Sequence, residues 1–100
     1  MEMEEKAKQI AELLKVLANE NRLLILCCLM NRPMTVNEIL KYTPKITQSA
    51  LSQHLSLLKA YGILDFDKSG QNVTYSIADC RVNEIIKLLQ KYYCNGGDTK

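Results

Sequence analysis

The sequence predicts one mainly α-helical domain that carries a β-hairpin near its end. Apolar residues recur at helical spacing through most of the first 61 positions, and they alternate with polar residues between positions 64 and 77. Residues that cap helices precede most of the helical stretches. A chain of 100 residues supports one modest core. We therefore assign residues 1–94 to a single domain and expect residues 95–100 to form a disordered tail.

The first two predicted helices differ in how much of their surface is apolar. Asn19 is a suitable N-cap for the second helix, which we place at about residues 20–31. Its centre, Leu23–Met30, is apolar all round, and we expect it to be buried. The first helix has a narrow apolar stripe instead, formed by Met3, Ala7, Ile10, Leu14 and Leu17.

A short helix and a tight turn come next. Thr35 and Glu38 have the spacing of a capping box, which starts a helix that ends near Tyr42. The segment Thr43–Ile46 is a turn, because Pro44 restricts the residue before it to non-helical conformations. The pattern predicts two helices that meet at a sharp angle.

The remaining elements are a longer helix, a hairpin and a last helix. Thr47 caps the longer helix, and Gly62 occupies the place of a left-handed C-cap. The two strands of the hairpin are joined by a turn at Ser69–Asn72, and Asp79 caps the last helix. The alternating apolar residues of the hairpin are Leu64, Phe66, Val73, Tyr75 and Ile77. The order α-α-α-α-β-β-α is that of a winged helix-turn-helix, with the hairpin as its wing.

The longer helix, residues 48–61, has an unusual outer face. Leu51, Leu55 and Leu58 form its inward stripe, and His54 lies beside them, which favours a structural role for this histidine. Ordinary solvated helix faces are rich in Lys and Glu. The opposite side here carries five uncharged hydrogen-bonding residues, which we call the reading face: Gln48, Ser49, Ser52, Gln53 and Ser56. Gln and Ser hydrogen-bond base edges in the major groove, so this face predicts double-stranded DNA as the partner; a merely polar surface helix is the alternative.

Cations that could contact phosphates surround this helix. Residues 21–64 carry a net charge of +4 within a chain of +2. Asp65 and Asp67 precede Lys68 in the hairpin, so we expect the wing to add little to phosphate binding. The candidate phosphate contacts are Lys41, Lys45, Lys59 and Lys68.

Amphipathic helices lie at both ends of the chain, and one small core does not obviously cover both. We expect a homodimer with Leu14 and Ile86 in its seam, which would read an inverted-repeat operator. The alternative is that both helices pack on their own core.

Several classes of protein are disfavoured. No apolar run is long enough for a membrane span and the start is acidic, unlike a signal peptide, so we expect a cytoplasmic protein. The four cysteines have no C-x-x-C spacing, which argues against a redox module, and a single histidine excludes His-rich metal sites. No general base stands near a nucleophile in any motif, so an enzyme is not expected. A helical interaction module that binds no nucleic acid is disfavoured by the reading face.

The chain resembles the ArsR family of bacterial repressors over almost its whole length. Residues 14–26 are similar to the family's second-helix signature, and residues 47–55 to its recognition helix. Residues 61–64 and 70–77 match the entry and return of its wing. The resemblance implies a dimeric DNA-binding repressor that an inducer releases.

The resemblance also bears on which inducer is sensed. Family members that sense arsenic or cadmium have cysteines at the positions of Thr35 and Asn37, and neither residue here is a soft ligand. Members of the zinc and nickel type use carboxylates and histidines of the last helix, where this chain has Asp79 and no histidine. The resemblance therefore implies no metal site of either familiar kind, and no cofactor.

Two cysteines remain to be explained. Cys27 after Ile25-Leu26 and Cys94 after Tyr92-Tyr93 resemble the pair of the sulfide- and persulfide-responsive dithiol subgroup. This resemblance implies a thiol switch and a small reactive sulfur compound or oxidant as inducer. Two alternatives stay open: both thiols are simply small buried hydrophobes, or Cys27, Cys28 and Cys94 bind a soft metal or metalloid. Cys28 and Cys80 lie outside the subgroup pattern.

Overall fold

A computed structural model of the protein describes the backbone of residues 2–95 and the side chains of residues 2–93. The helices are α1 (Glu2–Leu17), α2 (Glu20–Asn31), α3 (Val36–Tyr42), α4 (Gln48–Ala60) and α5 (Cys80–Gln90), and a π-helical turn (Lys91–Asn95) follows α5. The strands are β1 (Met34–Thr35), β2 (Leu64–Ser69) and β3 (Asn72–Ile77). They form an antiparallel sheet in the order β1-β3-β2. The predicted winged helix-turn-helix is confirmed.

The predicted caps begin their helices. Asn19 accepts hydrogen bonds from the backbone N–H groups of Asn21 and Arg22, both at 3.0 Å. The Glu38 N–H donates to Thr35 Oγ1 at 3.2 Å, and the Thr35 N–H donates to Glu38 Oε1 at 2.9 Å. These bonds satisfy N–H groups that have no partner inside their own helix. The starts of α2 and α3 are therefore determined by local sequence.

The turn between α3 and α4 is anchored in the core. Thr43 is fully buried, and its hydroxyl donates to the Ile39 carbonyl oxygen at 2.9 Å. The Ile46 N–H donates to the Thr43 carbonyl oxygen at 3.0 Å, and the Ile46 side chain is buried. A buried polar group needs such a partner, so this threonine holds the two helices at a fixed angle.

One hydrophobic core joins α2, α3, α4, α5 and the sheet. Its fully buried members come from each of these helices and include Ile25, Ile39, Leu55 and Val82. At the end of α4, Gly62 adopts the predicted left-handed conformation with φ of 75°. The hairpin turn is tighter than predicted, because Ser69 and Asn72 already pair and only Gly70 and Gln71 lie between the strands.

Strand β1 and the exposure of α2 also differ from the sequence-based expectations. Strand β1 was not predicted; its Met34 pairs with Tyr75 and is only 2% exposed. Two residues after a proline carry no periodic pattern, so sequence alone gives no sign of such a strand. The expectation that the whole centre of α2 is buried is wrong at Leu24, which is 42% exposed on the side of α2 that faces away from the core.

Helix α1 extends away from this core. Only Val16 and Leu17, at its end, are buried. The radius of gyration is 14.5 Å, against about 13 Å for a typical compact domain of this length. Most of the α1 stripe therefore has no cover within the protomer. Asn95, which the sequence placed in a disordered tail, belongs to the π-helical turn, and the rest of that predicted tail, residues 96–100, lies outside the described residues.

The two residues predicted for a dimer seam differ in their exposure to solvent. Leu14 is 48% exposed on α1, whereas Ile86 is 1% exposed in the protomer's own core. The prediction that Ile86 lies in a seam is thus wrong, because this side of α5 packs against α2 and the rest of the core. Among residues 2–95, no helix is long and apolar enough to cross a membrane.

Candidate nucleic-acid interface and thiol site

Helix α4 presents the reading face to solvent. Leu51, Leu55 and Leu58 are at most 1% exposed and anchor one side of the helix in the core. On the other side, all five residues of the reading face are exposed. The Thr47 hydroxyl accepts the Ala50 N–H at 3.1 Å and begins the helix directly before Gln48. The first turn of α4 therefore projects uncharged donors and acceptors from a rigid base.

The candidate phosphate contacts lie around this helix. Lys41 and Lys45, on either side of the α3–α4 turn, are exposed, and so is Lys68 on β2. Lys59 is exposed as well, but its ammonium lies 4.1 Å from the centre of the Phe66 ring on the wing. The predicted cations are thus available to a polyanion, with Lys59 already in contact with an aromatic ring.

A cleft next to α4 brings in residues that sequence analysis missed. It has a volume of about 260 Å³ and lies where the start of α3, the start of α4 and the tip of the wing meet. Its polar lining residues are Thr35, Asn37, Gln48, Ser52, Gln71 and Asn72. The wing-tip residues are distant from α4 in sequence, and only the fold of the hairpin brings them beside the reading face. The turn predicted at Ser69–Asn72 was the one sequence signal for a tip at this point.

His54 is half-buried on the flank of α4. Burial lowers the pKa of His54, and the positive charge of Arg22 lowers it further. Arg22 is held in place, because its Nε donates to the Val16 carbonyl oxygen at 2.6 Å. These contacts join α1, α2 and α4, and they support the structural role predicted for His54.

Cys27 lines an apolar cavity between α2 and α5. The cavity has a volume of about 300 Å³. Its lining residues are Leu23, Cys27, Ile86, Leu89, Gln90 and Tyr93. The backbone of Cys94 follows Tyr93 in the π-helical turn, and the Cys94 side chain lies outside the described side chains.

The other two cysteines occupy different environments. Cys28 is buried in the core, and burial, followed by the neighbouring Cys27, raises the pKa of its thiol. A thiol with a raised pKa is a poor nucleophile at neutral pH. Cys80 is exposed at the start of α5. Neither lines the cavity beside Cys27.

The described side chains contain no group of three His, Cys, Asp or Glu residues placed to hold a metal ion. Thr35 and Asn37 lie at the start of α3. The residues that line their cleft include no cysteine. The site that the geometry does assemble is a polar protein surface around α4, together with a separate cavity that contains a thiol.

A helix-turn-helix with a β-hairpin wing and an exposed polar second helix defines a winged-helix DNA-binding protein. Residues 19–65 match the family described as "Bacterial regulatory protein, arsR family". The chain belongs to this family, and it is a transcriptional regulator.

Two similar proteins, one of which also has a solved structure, illustrate the relationship. The transcriptional activator HlyU of Vibrio cholerae is 41% identical over 93 residues, which are 93% of this chain and 85% of HlyU. The biofilm growth-associated repressor of Agrobacterium fabrum is 34% identical over 92 residues, covering 92% of this chain and 78% of that protein. The structure of reduced HlyU from V. cholerae has a TM-score of 0.87 at 39% identity and covers 94% of this chain and 98% of its own. These relatives are regulators rather than enzymes.

The lowered pKa of His54 predicts a specific pH dependence of stability. The unfolded chain takes up this proton near its usual pKa of about 6.5, before the folded protein does. The contribution of His54 to the free energy of unfolding is therefore complete above about pH 6.5. It is lost as the pH falls from about 6.5 towards the lower pKa of the folded protein. We expect His54→Gln to lose less stability than the wild type between about pH 7.5 and about pH 5.5, measured by urea unfolding. Since all carboxylates are common to both proteins, an equal loss in the two would contradict the assignment.

Proposed function

We propose that the protein is a homodimeric repressor that binds an inverted-repeat operator through α4 and releases it when Cys27 and Cys94 become linked. The reading face is the observation that carries the DNA-binding part of this proposal. It is exposed and uncharged, and exposed lysines lie on either side of the α3–α4 turn (Lys41 and Lys45) and on the wing (Lys68). Phosphate contacts would position the protein, and the reading face would specify the sequence.

The sign of regulation is part of the proposal. One relative is described as an activator and another as a repressor, so family membership leaves both possible. We favour repression because the resemblance to the ArsR family of repressors implies it. A reporter gene placed behind the operator should be expressed more strongly when this protein is deleted.

Exposed apolar surface supports a dimer. On α1, Met3 is 82% and Ile10 is 56% exposed; on α5 and the turn after it, Leu89 is 42% and Tyr92 is 64% exposed. Large exposed apolar side chains grouped along a helix mark interaction surfaces on soluble proteins. A two-fold pairing of α1 and α5 would cover it and would place two copies of α4 on successive turns of the major groove.

The cavity beside Cys27 supports the thiol switch. A reagent that enters it meets the Cys27 sulfur, and Tyr93 on its wall is the residue that directly precedes Cys94. Cys28, one residue on, points into the core instead. Cys27 thus lies on α2 at the cavity wall, and Cys94 directly follows a lining residue in the turn after α5.

The proposed chemistry uses a persulfide, R–S–SH, as oxidant. The Cys94 thiolate attacks the outer sulfur, which gives a Cys94 persulfide and releases RS⁻. The Cys27 thiolate then attacks the inner sulfur of that persulfide, which forms the disulfide and releases HS⁻. If Cys27 is itself persulfidated, its outer sulfur makes the same attack and a trisulfide results. Either link ties the turn after α5 to α2 and shifts the pairing of the two protomers.

A soft-metal site at Cys27, Cys28 and Cys94 is the competing hypothesis. The geometry disfavours it, because Cys28 is buried in the core and does not line the cavity beside Cys27. Titration with zinc or cadmium, followed by thiol counting, separates the two hypotheses.

The first prediction concerns DNA recognition. Ser49→Ala, Ser52→Ala and Gln53→Ala should weaken operator binding by about tenfold each while leaving non-specific binding unchanged, because they remove contacts to bases. Lys41→Ala and Lys45→Ala should weaken binding to all DNA equally and lower the salt slope by about one. Mobility shifts over a salt series measure both effects. An unchanged operator preference in all three reading-face variants would remove the assignment.

The second prediction concerns the dimer. Ile10→Glu and Leu14→Glu bury a charge in the proposed seam and should convert the dimer to a monomer at micromolar concentration, measured by sedimentation. Lys8→Glu, which adds the same side chain to α1 outside the apolar stripe, is the matched control and should remain dimeric. A folded wild-type monomer at this concentration would contradict the proposal.

The third prediction concerns the switch. Cys27→Ser and Cys94→Ser should bind operator DNA when reduced and stay bound after persulfide treatment, since neither can form the link. Cys80→Ser and Cys28→Ala should still release DNA; alanine is chosen for Cys28 because its site is apolar. Mass spectrometry of the treated protein reports the residues joined and the number of sulfur atoms. Release of DNA by the Cys94→Ser protein would overturn the assignment.

A further inference from the structure

Lys59 and Phe66 connect the recognition helix to the wing. Lys59 lies in the last turn of α4, and its Nζ is 4.1 Å from the centre of the Phe66 ring on β2. A cation this close to an aromatic face is attracted by the ring's negative surface. Successive strand residues face opposite sides, so Asp65 and Asp67 lie on the other side of β2 from Phe66. The lysine thus meets the ring rather than the neighbouring carboxylates.

The contact continues across the sheet. Phe66 pairs with Tyr75 on β3, and their ring centres are 6.2 Å apart at a tilt of 37°. Tyr75 in turn pairs with Met34 of β1, which is buried directly before the Thr35 cap of α3. A continuous series of side chains therefore runs from the end of α4, through the wing, to the start of α3.

This connection sets where the tip of the wing lies. Gln71 and Asn72 line one cleft with Gln48 and Ser52 of the reading face. The tip carries amides where a wing that binds phosphates would carry cations, and amides are groups that recognise base edges and sugar. The exposed polar surface thus continues from α4 onto the wing without a charged residue among those that line the cleft.

We propose that Lys59 is a positioning residue that holds the wing through Phe66, and that Gln71 and Asn72 are specificity-determining residues of the operator complex. The inference rests on the proposed DNA interface at α4. It reassigns Lys59 from the phosphate contact that sequence analysis expected to a residue that acts through the wing.

A double-mutant cycle with salt titration tests the role of Lys59. Lys59→Met and Phe66→Leu should each weaken operator binding by about threefold, and the double variant should be no weaker than either single variant. Lys59→Arg keeps the cation over the ring and should restore binding. Lys87→Met, at an exposed lysine of α5, is the matched control for loss of one positive charge. Thermal melting verifies that each variant is folded.

The salt slope separates the two roles. A positioning role predicts that Phe66→Leu leaves the slope unchanged and that Lys59→Met changes it no more than Lys87→Met does. If Lys59→Met lowers the slope by about one while Phe66→Leu binds like the wild type, Lys59 is a phosphate contact and the proposal is overturned.

The wing tip is tested by operator preference. Gln71→Ala and Asn72→Ala should each reduce the preference for operator over scrambled DNA by about fivefold at constant salt slope. Ser52→Ala, measured alongside, distinguishes the two proposals. If Ser52→Ala lowers the preference and the wing-tip variants do not, the inference about the wing fails alone; if none of them lowers it, the proposed interface at α4 fails as well.

Discussion

Burial of three leucines on α4 is the constraint on which the rest of the structure depends. Leu51, Leu55 and Leu58 are almost completely excluded from solvent. A helix that buries one stripe so fully has a fixed rotation about its axis, and its opposite face must point outward. Rotating α4 to bury the reading face would expose the three leucines and leave polar groups without partners in the core. The orientation of the recognition surface is therefore a consequence of the hydrophobic core.

The same core joins the two candidate sites. Leu23 and Cys27, on the wall of the cavity, pack against the cluster that contains the leucines of α4. Ile86 belongs to both the cavity lining and the core. On the proposed mechanism, a link between α2 and the turn after α5 acts on the hydrophobic cluster to which the base of α4 also belongs. Closely packed interiors transmit such displacements because they leave little free volume to absorb them.

Local signals in the sequence were sufficient for most of the fold. Caps at Asn19, Thr35 and Thr47 and the glycine after α4 act over a few residues, and each was readable from sequence alone. The features that escaped prediction depend on residues distant along the chain. Strand β1 exists because Met34 meets Tyr75, and the exposure of Leu24 depends on which side of α2 its neighbours cover. At the candidate site, the five residues of the reading face follow from helical spacing, whereas the contact of Lys59 with Phe66 and the place of Gln71 require the folded wing.

An uncharged reading face has a consequence for how the regulator is distributed in a cell. Affinity for arbitrary DNA grows with the number of phosphates that a protein neutralises, and a genome offers about a million or more competing sites. On the proposed interface, a protomer of net charge +2 meets the bases with amides and hydroxyls and would gain little affinity from such sites. Fewer copies would then be held on the bulk chromosome, and a small pool of protein would suffice to occupy the operator.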